Sequence, residues 1–193
     1  MRDRLYALLP RLLRTPGDPP FRDLLDRRRH RRVPPGDAAH IVSPADGTIV
    51  EISEVEETEF LKGDAVKIGI FLSVWDVHVN RAPCDGVVKA KKYTPGRFVD
   101  ARNPDCGTIN EQNAIFLDGG PTPAVVTQIA GAIARRIVCA VDENERLTRG
   151  QKIGMIKFGS RTDIYLPKAR VAELRIKLKD KVKGGETVLA RAH

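Results

Sequence analysis

Ile41-Val42-Ser43-Pro44-Ala45-Asp46-Gly47-Thr48-Ile49-Val50-Glu51-Ile52 is the stretch that decides the fold. Two β-rich runs flank an Asp-Gly pair, the dipeptide that most readily takes a tight turn, so the segment reads strand, turn, strand. Pro-x-Asp-Gly followed by a β-branched run returns further on as Pro83-Cys84-Asp85-Gly86-Val87-Val88-Lys89. A looser third echo, Lys181-Val182-Lys183-Gly184-Gly185-Glu186-Thr187-Val188-Leu189, lacks the proline but keeps the order of turn then strand. Repeated hairpins of this kind predict a mainly β, β-rich α+β fold built from flattened, barrel-like sheets. Thirteen prolines and sixteen glycines in 193 residues fit many short strands and turns better than long helices.

Outward from this stretch toward the N-terminus, Pro34-Pro35-Gly36-Asp37 breaks the chain and divides a basic arm, 1–36, from a β-rich domain, 37–193. The arm carries ten arginines against four aspartates, which is most of the net charge of +8. Leu5, Tyr6, Leu8, Leu9, Leu12 and Leu13 recur near helical spacing, and Pro16-Gly17 ends the pattern. A short amphipathic helix flanked by arginines suits an anionic membrane surface, and a solvated or packed arm is the alternative. The run Arg27-Arg28-Arg29-His30-Arg31-Arg32 has no aromatic platform or reading helix beside it, so no nucleic-acid partner is expected. Cys84, Cys106 and Cys139 are odd in number and lack metal-ligand spacing, which argues against a disulfide framework, predicts no metal and fits a reducing compartment. No apolar run reaches the roughly 18 residues of a membrane span, and the N-terminus lacks the apolar core of a signal peptide.

Two segments carry candidate chemistry. Ile68-Gly69-Ile70-Phe71-Leu72 reads as a buried strand that leads into Asp76 and His78, which share a side if the chain stays extended. A histidine at the end of a buried strand beside a carboxylate is a candidate general acid or base. In Lys157-Phe158-Gly159-Ser160-Arg161-Thr162-Asp163, a Gly-Ser pair stands between strand-like runs. It is either a hairpin turn or a peptide bond that the serine itself attacks, since glycine leaves its carbonyl open to approach. Gln128 to Cys139 is expected to form a strand followed by a short helix or turn.

Paired hairpins are similar to those of lipoyl and biotinyl carrier domains, whose modifiable lysine sits at a hairpin tip; Asp180-Lys181-Val182 is the nearest match. A more specific resemblance rests on five motifs in order: Ser43 to Gly47, Phe71 to Pro83, Asn110-Glu111-Gln112-Asn113, Gln128-Ile129-Ala130-Gly131 and Phe158-Gly159-Ser160-Arg161. Together they resemble the phosphatidylserine decarboxylase family, in particular its short bacterial and archaeal form, over about residues 41–190.

The resemblance implies a proenzyme that cuts itself between Gly159 and Ser160, giving chains 1–159 and 160–193, and converts Ser160 into a pyruvoyl group. That group would form a Schiff base with the amine of phosphatidylserine and support its decarboxylation to phosphatidylethanolamine, with no metal. Asp46 matches the aspartate of the Asp-His-Ser triad proposed for larger members. Those members carry a second histidine where this chain has Arg81, and Gly-Ser-Thr or Gly-Ser-Ser where it has Gly-Ser-Arg; the short form shares both departures. His78 is therefore the expected base for self-cleavage and the expected proton donor in turnover, oriented by Asp46 or Asp76. The implied partners are phosphatidylserine, an anionic membrane surface and the two cleavage chains themselves, and a homodimer is compatible with the sequence. The expected place is peripheral, on the cytoplasmic face of the cell membrane. Alternatives are a non-catalytic carrier-like β-barrel module and a pyruvoyl decarboxylase of a soluble amino acid.

Overall fold

The computed structural model describes residues 33–34, 37–103, 105–132, 136–156 and 159–193. The arm, 1–36, therefore lies outside the described residues except for Val33 and Pro34. Among the described residues the chain is strand-rich, as its composition predicts, with fourteen strands, one four-residue α-helix, α1 (Cys106–Ile109), and a single 3₁₀ turn at Lys168–Arg170.

The strands fall into two interleaved repeats. The outer repeat opens with β1 (His40–Val42), β2 (Gly47–Glu57) and β3 (Gly63–Leu72). The inner repeat follows without interruption: β4 (Val79–Arg81), β5 (Gly86–Thr94), β6 (Gln112–Asp118), β7 (Ala124–Ile129), β8 (Ile137–Cys139), β9 (Arg146–Leu147) and β10 (Lys152–Ile156). The chain then returns to the outer repeat with β11 (Ser160–Pro167), β12 (Val171–Leu174), β13 (Lys181–Val182) and β14 (Val188–Ala192). The large sheet has the order β13-β2-β3-β11-β7-β6-β5-β9 and curls into a half-barrel, with β11 and β7 paired at its centre. Two small sheets, β1-β14-β12 and β4-β10-β8, are equivalent members of the two repeats.

The Pro-x-Asp-Gly turns hold the repeats together through matched hydrogen bonds. Val42 N–H donates to the Pro83 carbonyl at 2.8 Å, and Arg81 N–H donates to the Pro44 carbonyl at 2.9 Å. Asp46 Oδ1 accepts the Gly184 N–H at 2.8 Å, and Asp85 Oδ1 accepts the Arg149 N–H at 2.7 Å. The segment around Lys181–Leu189 is thus not a third copy of the hairpin. Its β13 pairs with β2 as β9 pairs with β5, so it is the partner of the first turn, equivalent to Arg146–Ile153. Lys181 correspondingly sits in paired strand rather than at a hairpin tip.

Each repeat has its own apolar core. Ile41, Ile49, Ile68, Ile70, Leu72, Ile164, Leu166 and Leu189 form the outer one, and Val88, Ile115, Leu117, Val126, Leu147 and Ile153 the inner one. Fully burying each such side chain stabilises the fold by about 1.5–3 kcal/mol relative to exposure. All six residues of β7 are buried, because this central strand is covered on both faces. The Gln128–Cys139 segment departs from expectation at its end: Ile137–Cys139 is strand β8, paired to β10, rather than helix or turn.

Candidate active site

The chain crosses between repeats after β3 and again between β10 and β11, and Gly159, just before β11, meets the first crossing. Gly159 N–H donates to His78 Nε2 at 3.1 Å. The other ring nitrogen, Nδ1, donates its proton to the Asp76 carbonyl at 2.8 Å. These two bonds require the neutral tautomer with the proton on Nδ1 and a lone pair on Nε2. Burial keeps that form, lowering the His78 pKa from 6.5 to about 4 against the opposing pull of the Asp76 carbonyl and the charges of Asp76 and Asp46.

Asp76 and His78 do not lie on an extended strand. β3 ends at Leu72, and residues 73–78 form a turn closed by Asp76 N–H donating to the Ser73 carbonyl at 3.0 Å. The Asp76 carboxylate serves that turn, with Oδ2 accepting from Ser73 N–H at 2.8 Å and Ser73 Oγ–H at 2.7 Å. The backbone carbonyl of Asp76 is what hydrogen-bonds the imidazole Nδ1, while the carboxylate acts on the ring through its charge. Asp46 contributes charge to the same neighbourhood while its Oδ1 caps the Gly184 turn.

Ser160 opens β11 opposite Leu72 and is fully buried. Its Oγ makes no hydrogen bond among the described residues, which is uncommon and costly for a buried hydroxyl. Gly159, immediately before it, has φ +66°, a backbone conformation that glycine adopts without penalty. Gly131 packs directly against the Gly159 carbonyl: a β-carbon at 131 would lie 1.9 Å from that oxygen. Gly159 is thus held from two sides, by an imidazole on its N–H, which belongs to the peptide before it, and by the Gly131 backbone behind its carbonyl, which belongs to the peptide it shares with Ser160.

Two buried polar groups fix β11 beyond Ser160. A row of amides runs from Asn113 Nδ2 to Gln128 Oε1 (3.0 Å), from Gln128 Nε2 to Asn80 Oδ1 (2.9 Å) and from Asn80 Nδ2 to Thr162 Oγ1 (2.8 Å). Arg161 is ion-paired to Asp163 and to Glu51, and Lys67 joins both carboxylates at 3.5 and 3.1 Å. Burial opposes ionisation of Glu51, but the hydrogen bonds from Arg161 and Ser53 and the charge of Lys67 outweigh it and pull its pKa to about 2. Burial likewise works against the Arg161 charge, and the Asp163 and Glu51 carboxylates more than restore it.

Arg81, in the place of the larger members' second histidine, is structural here. Its Nη1 donates to the Gly150 carbonyl at 2.8 Å, and its Cδ lies against Gly185, so it spans the two equivalent turns. His40 is in β1 and His193 ends the chain, while His30 lies outside the described residues. Among the described residues, no cluster of three or more His, Cys, Asp or Glu side chains could hold a metal ion, and no helix is long and apolar enough to cross a membrane. A pocket of about 270 Å³, lined by Glu57, Lys92, Gly107, Thr127 and Tyr165 among others, does not include Ser160, His78 or Gly159. The roles of Gly131, Asn80, Asn113 and Gln128 are not readable from sequence, although all four stand inside the motifs quoted above. Asp163, Glu51 and Lys67 carried no sequence signal beyond alternation along their strands.

The arrangement sets a buried hydroxyl beside a glycine carbonyl, and comparison with known proteins gives the family in which it occurs. The phosphatidylserine decarboxylase family model matches residues 22–190. The chain is 48% identical over 164 residues to a protein of Carboxydothermus hydrogenoformans, covering 85% of this chain and 76% of that one. It is 45% identical over 163 residues to a protein of Geotalea uraniireducens (84% and 75%) and 43% identical over 166 residues to one of Desulfotalea psychrophila (85% and 76%). All three are named phosphatidylserine decarboxylase proenzyme. On this match in sequence, extent and order of motifs, the chain belongs to the phosphatidylserine decarboxylase family.

Proposed function

We propose that this chain is a proenzyme that cuts itself between Gly159 and Ser160 and, once cut, decarboxylates phosphatidylserine to phosphatidylethanolamine with a pyruvoyl group made from Ser160. The observation that carries the reading is the buried, unbonded Ser160 Oγ next to Gly159, whose own N–H is held by neutral His78. On this reading the Gly159 N–H gives up His78 Nε2, whose freed lone pair accepts the Oγ proton as Oγ bonds to the Gly159 carbonyl carbon and returns it to the Ser160 nitrogen as the C–N bond breaks, leaving an ester. Loss of the Ser160 Cα proton with cleavage of the Cβ–O bond then releases Gly159 as a carboxylate and leaves dehydroalanine. Water adds and ammonia departs to give the ketone. The orphaned hydroxyl and the glycine-lined carbonyl fit this conversion, and the ketone supplies an electrophile and electron sink for a substrate amine.

Cleavage changes the environment of His78. The new Gly159 carboxylate forms next to Nε2, and an anion there raises the imidazole pKa from its low value in the uncut chain. The ring that serves as base during maturation thereby becomes a proton donor, suited to returning a proton to the substrate carbon. Chains 1–159 and 160–193 remain joined through the pairing of β11 with β3 and β7. The basic arm docks the protein peripherally on the cytoplasmic leaflet, its arginines drawn to anionic head groups.

Intact mass and N-terminal analysis of purified protein, with assays on phosphatidylserine and on free serine, test the reading. Two chains, a blocked N-terminus at 160, and borohydride-sensitive release of carbon dioxide from the lipid alone are expected. An uncut 193-residue chain points instead to a non-catalytic β module, and activity on free serine to a soluble substrate. Replacing Arg27, Arg28, Arg29, Arg31 and Arg32 by glutamine should weaken co-sedimentation with anionic vesicles at low salt; unchanged binding would overturn the role of the arm.

A further inference from the structure

Strand register places the connections around Ser160 at one end of the molecule. Ser160 pairs with Leu72, Arg161 with Ile129, Gln112 with Ile129, and Ile137 with Ile156. The turn at 73–78, the loop at 95–111 and the connection at 130–136 therefore all leave from the end at which β11 begins. They also touch. Val74 Cγ1 lies 3.8 Å from where a Gly159 side chain would begin, and Ala101 Cβ lies 3.3 Å from the corresponding point on Gly131.

Trp75 stands on this rim and is 78% exposed. It is the one tryptophan of the chain, placed between Val74, which packs near Gly159, and Asp76, whose carbonyl holds His78. Its exposure is not the result of a loose segment, since the turn is closed on both sides by the Ser73–Asp76 hydrogen bonds. Phe98 and Ile109, on the adjoining loop, are also exposed, at 36% and 39%. Among the described residues, the exposed charges of these connections are Arg97, Arg102 and Arg136 against Asp100 and Asp105, and Asp100 is already bound to Arg102. A rigidly presented indole, with aromatic and aliphatic neighbours and a small positive excess, has the chemistry of a membrane-interface anchor.

We infer that the Trp75 turn is a second docking element, separate from the arm, which seats the mouth of the Ser160 site against a phospholipid bilayer. The inference rests on the lipid reading above: a substrate anchored in a leaflet has to bring its head group to residue 160 through this rim. A protein partner or second copy covering the same surface would obstruct that approach. Shallow insertion of the indole would place the turn bearing His78 at head-group depth.

Because Trp75 is the only indole, its fluorescence in the full-length protein reports this contact directly. Vesicles of phosphatidylcholine and phosphatidylglycerol, free of phosphatidylserine, should shift its emission to the blue. Lipids brominated near the head group should quench it more than lipids brominated near the chain terminus. Trp75→Ser should lower vesicle partitioning about tenfold or more, corresponding to an apolar side chain lost from the interface. Emission that stays unshifted and unquenched while the full-length protein co-sediments with the vesicles overturns the proposal, as does unchanged partitioning of Trp75→Ser. The two readings fail separately. Carbon dioxide release from dispersed short-chain phosphatidylserine with an unresponsive Trp75 sinks the docking element and spares the enzyme. Quenching without any lipid decarboxylation supports the docking element and sinks the substrate.

Discussion

The Gly159 amide donates to His78 Nε2 at 3.1 Å while the Asp76 carbonyl fixes the opposite nitrogen at 2.8 Å. His78 is thus held with its basic lone pair toward Gly159, the residue whose carbonyl Ser160 would attack. General-base assistance of this kind contributes about 10²–10⁴-fold, so His78→Ala should slow conversion to two chains by that order. The fraction cut, followed on denaturing gels after synthesis, measures it. Splitting of His78→Ala at the rate of the unaltered chain would remove His78 from the reaction.

Burial sets the pH dependence. His78 is neutral above its folded pKa of about 4, so self-cleavage should be level through neutral pH and fall as pH drops through about 4. Because the folded pKa lies below the unfolded value of 6.5, the unfolded chain takes up the proton first as pH falls. The uncut chain should therefore lose stability between pH 6.5 and about 4, on the order of 3 kcal/mol in total. Urea midpoints of Ser160→Ala, which cannot cut itself, should show this slope, and adding His78→Gln should flatten it. After cleavage the neighbouring carboxylate reverses the requirement, so lipid turnover should decline as pH rises past the raised pKa.

Gly131→Ala should separate cleavage from folding. A β-carbon 1.9 Å from the Gly159 oxygen cannot be accommodated without moving the scissile carbonyl. A displacement of about 1 Å at a reacting group can cost about 10²-fold in rate. Maturation should slow by that order, while thermal unfolding of the uncut protein shows the variant still folded. Normal maturation of Gly131→Ala would mean that the carbonyl position is not limiting.

The fold was largely legible because Pro-x-Asp-Gly is a local signal, and the two copies do begin equivalent strands, β2 and β5. The interleaving was not legible: β11 pairs with β7 across 32 to 40 positions and with β3 across 88 to 102, which no window of sequence reveals. His78 and Gly159–Ser160 could be named from their motifs, yet their hydrogen bond depends on both crossings between repeats. Asp76 shows the limit of spacing alone, since two residues apart means one side only on a strand, and this segment is a turn. Gly69 was simply a weak position in an apolar strand; in the structure the Arg161 guanidinium occupies the space a side chain would fill.

Arg161 is the residue whose loss should cost the fold most per atom. Its side chain is 3% exposed and Asp163 is fully buried, so Arg161→Met leaves a buried carboxylate without its main partner. Breaking one side of such a pair typically costs about 3–5 kcal/mol, whereas replacing both sides by apolar groups costs far less. Chemical denaturation of Arg161→Met in the Ser160→Ala background should show the larger loss, and adding Asp163→Leu should recover part of it. Equal destabilisation by the single and double changes would show that the network does not act as a pair.

Arg81→His restores the residue that larger members of the family carry at this position, and it tests whether a second histidine would help here. The guanidinium reaches the Gly150 carbonyl at 2.8 Å and its stem packs on Gly185, tying the inner and outer turns together. Imidazole is shorter and cannot span both contacts, so the change removes a buried hydrogen bond from a charged donor, worth about 1.5–3 kcal/mol. The Gly159 N–H meanwhile remains on His78, leaving the new ring no established place at the scissile peptide. Arg81→His should therefore lower the denaturation midpoint without accelerating self-cleavage, and adding it to His78→Ala should not restore cutting. Recovery of cleavage in that double variant would show that the base can be supplied from position 81 after all.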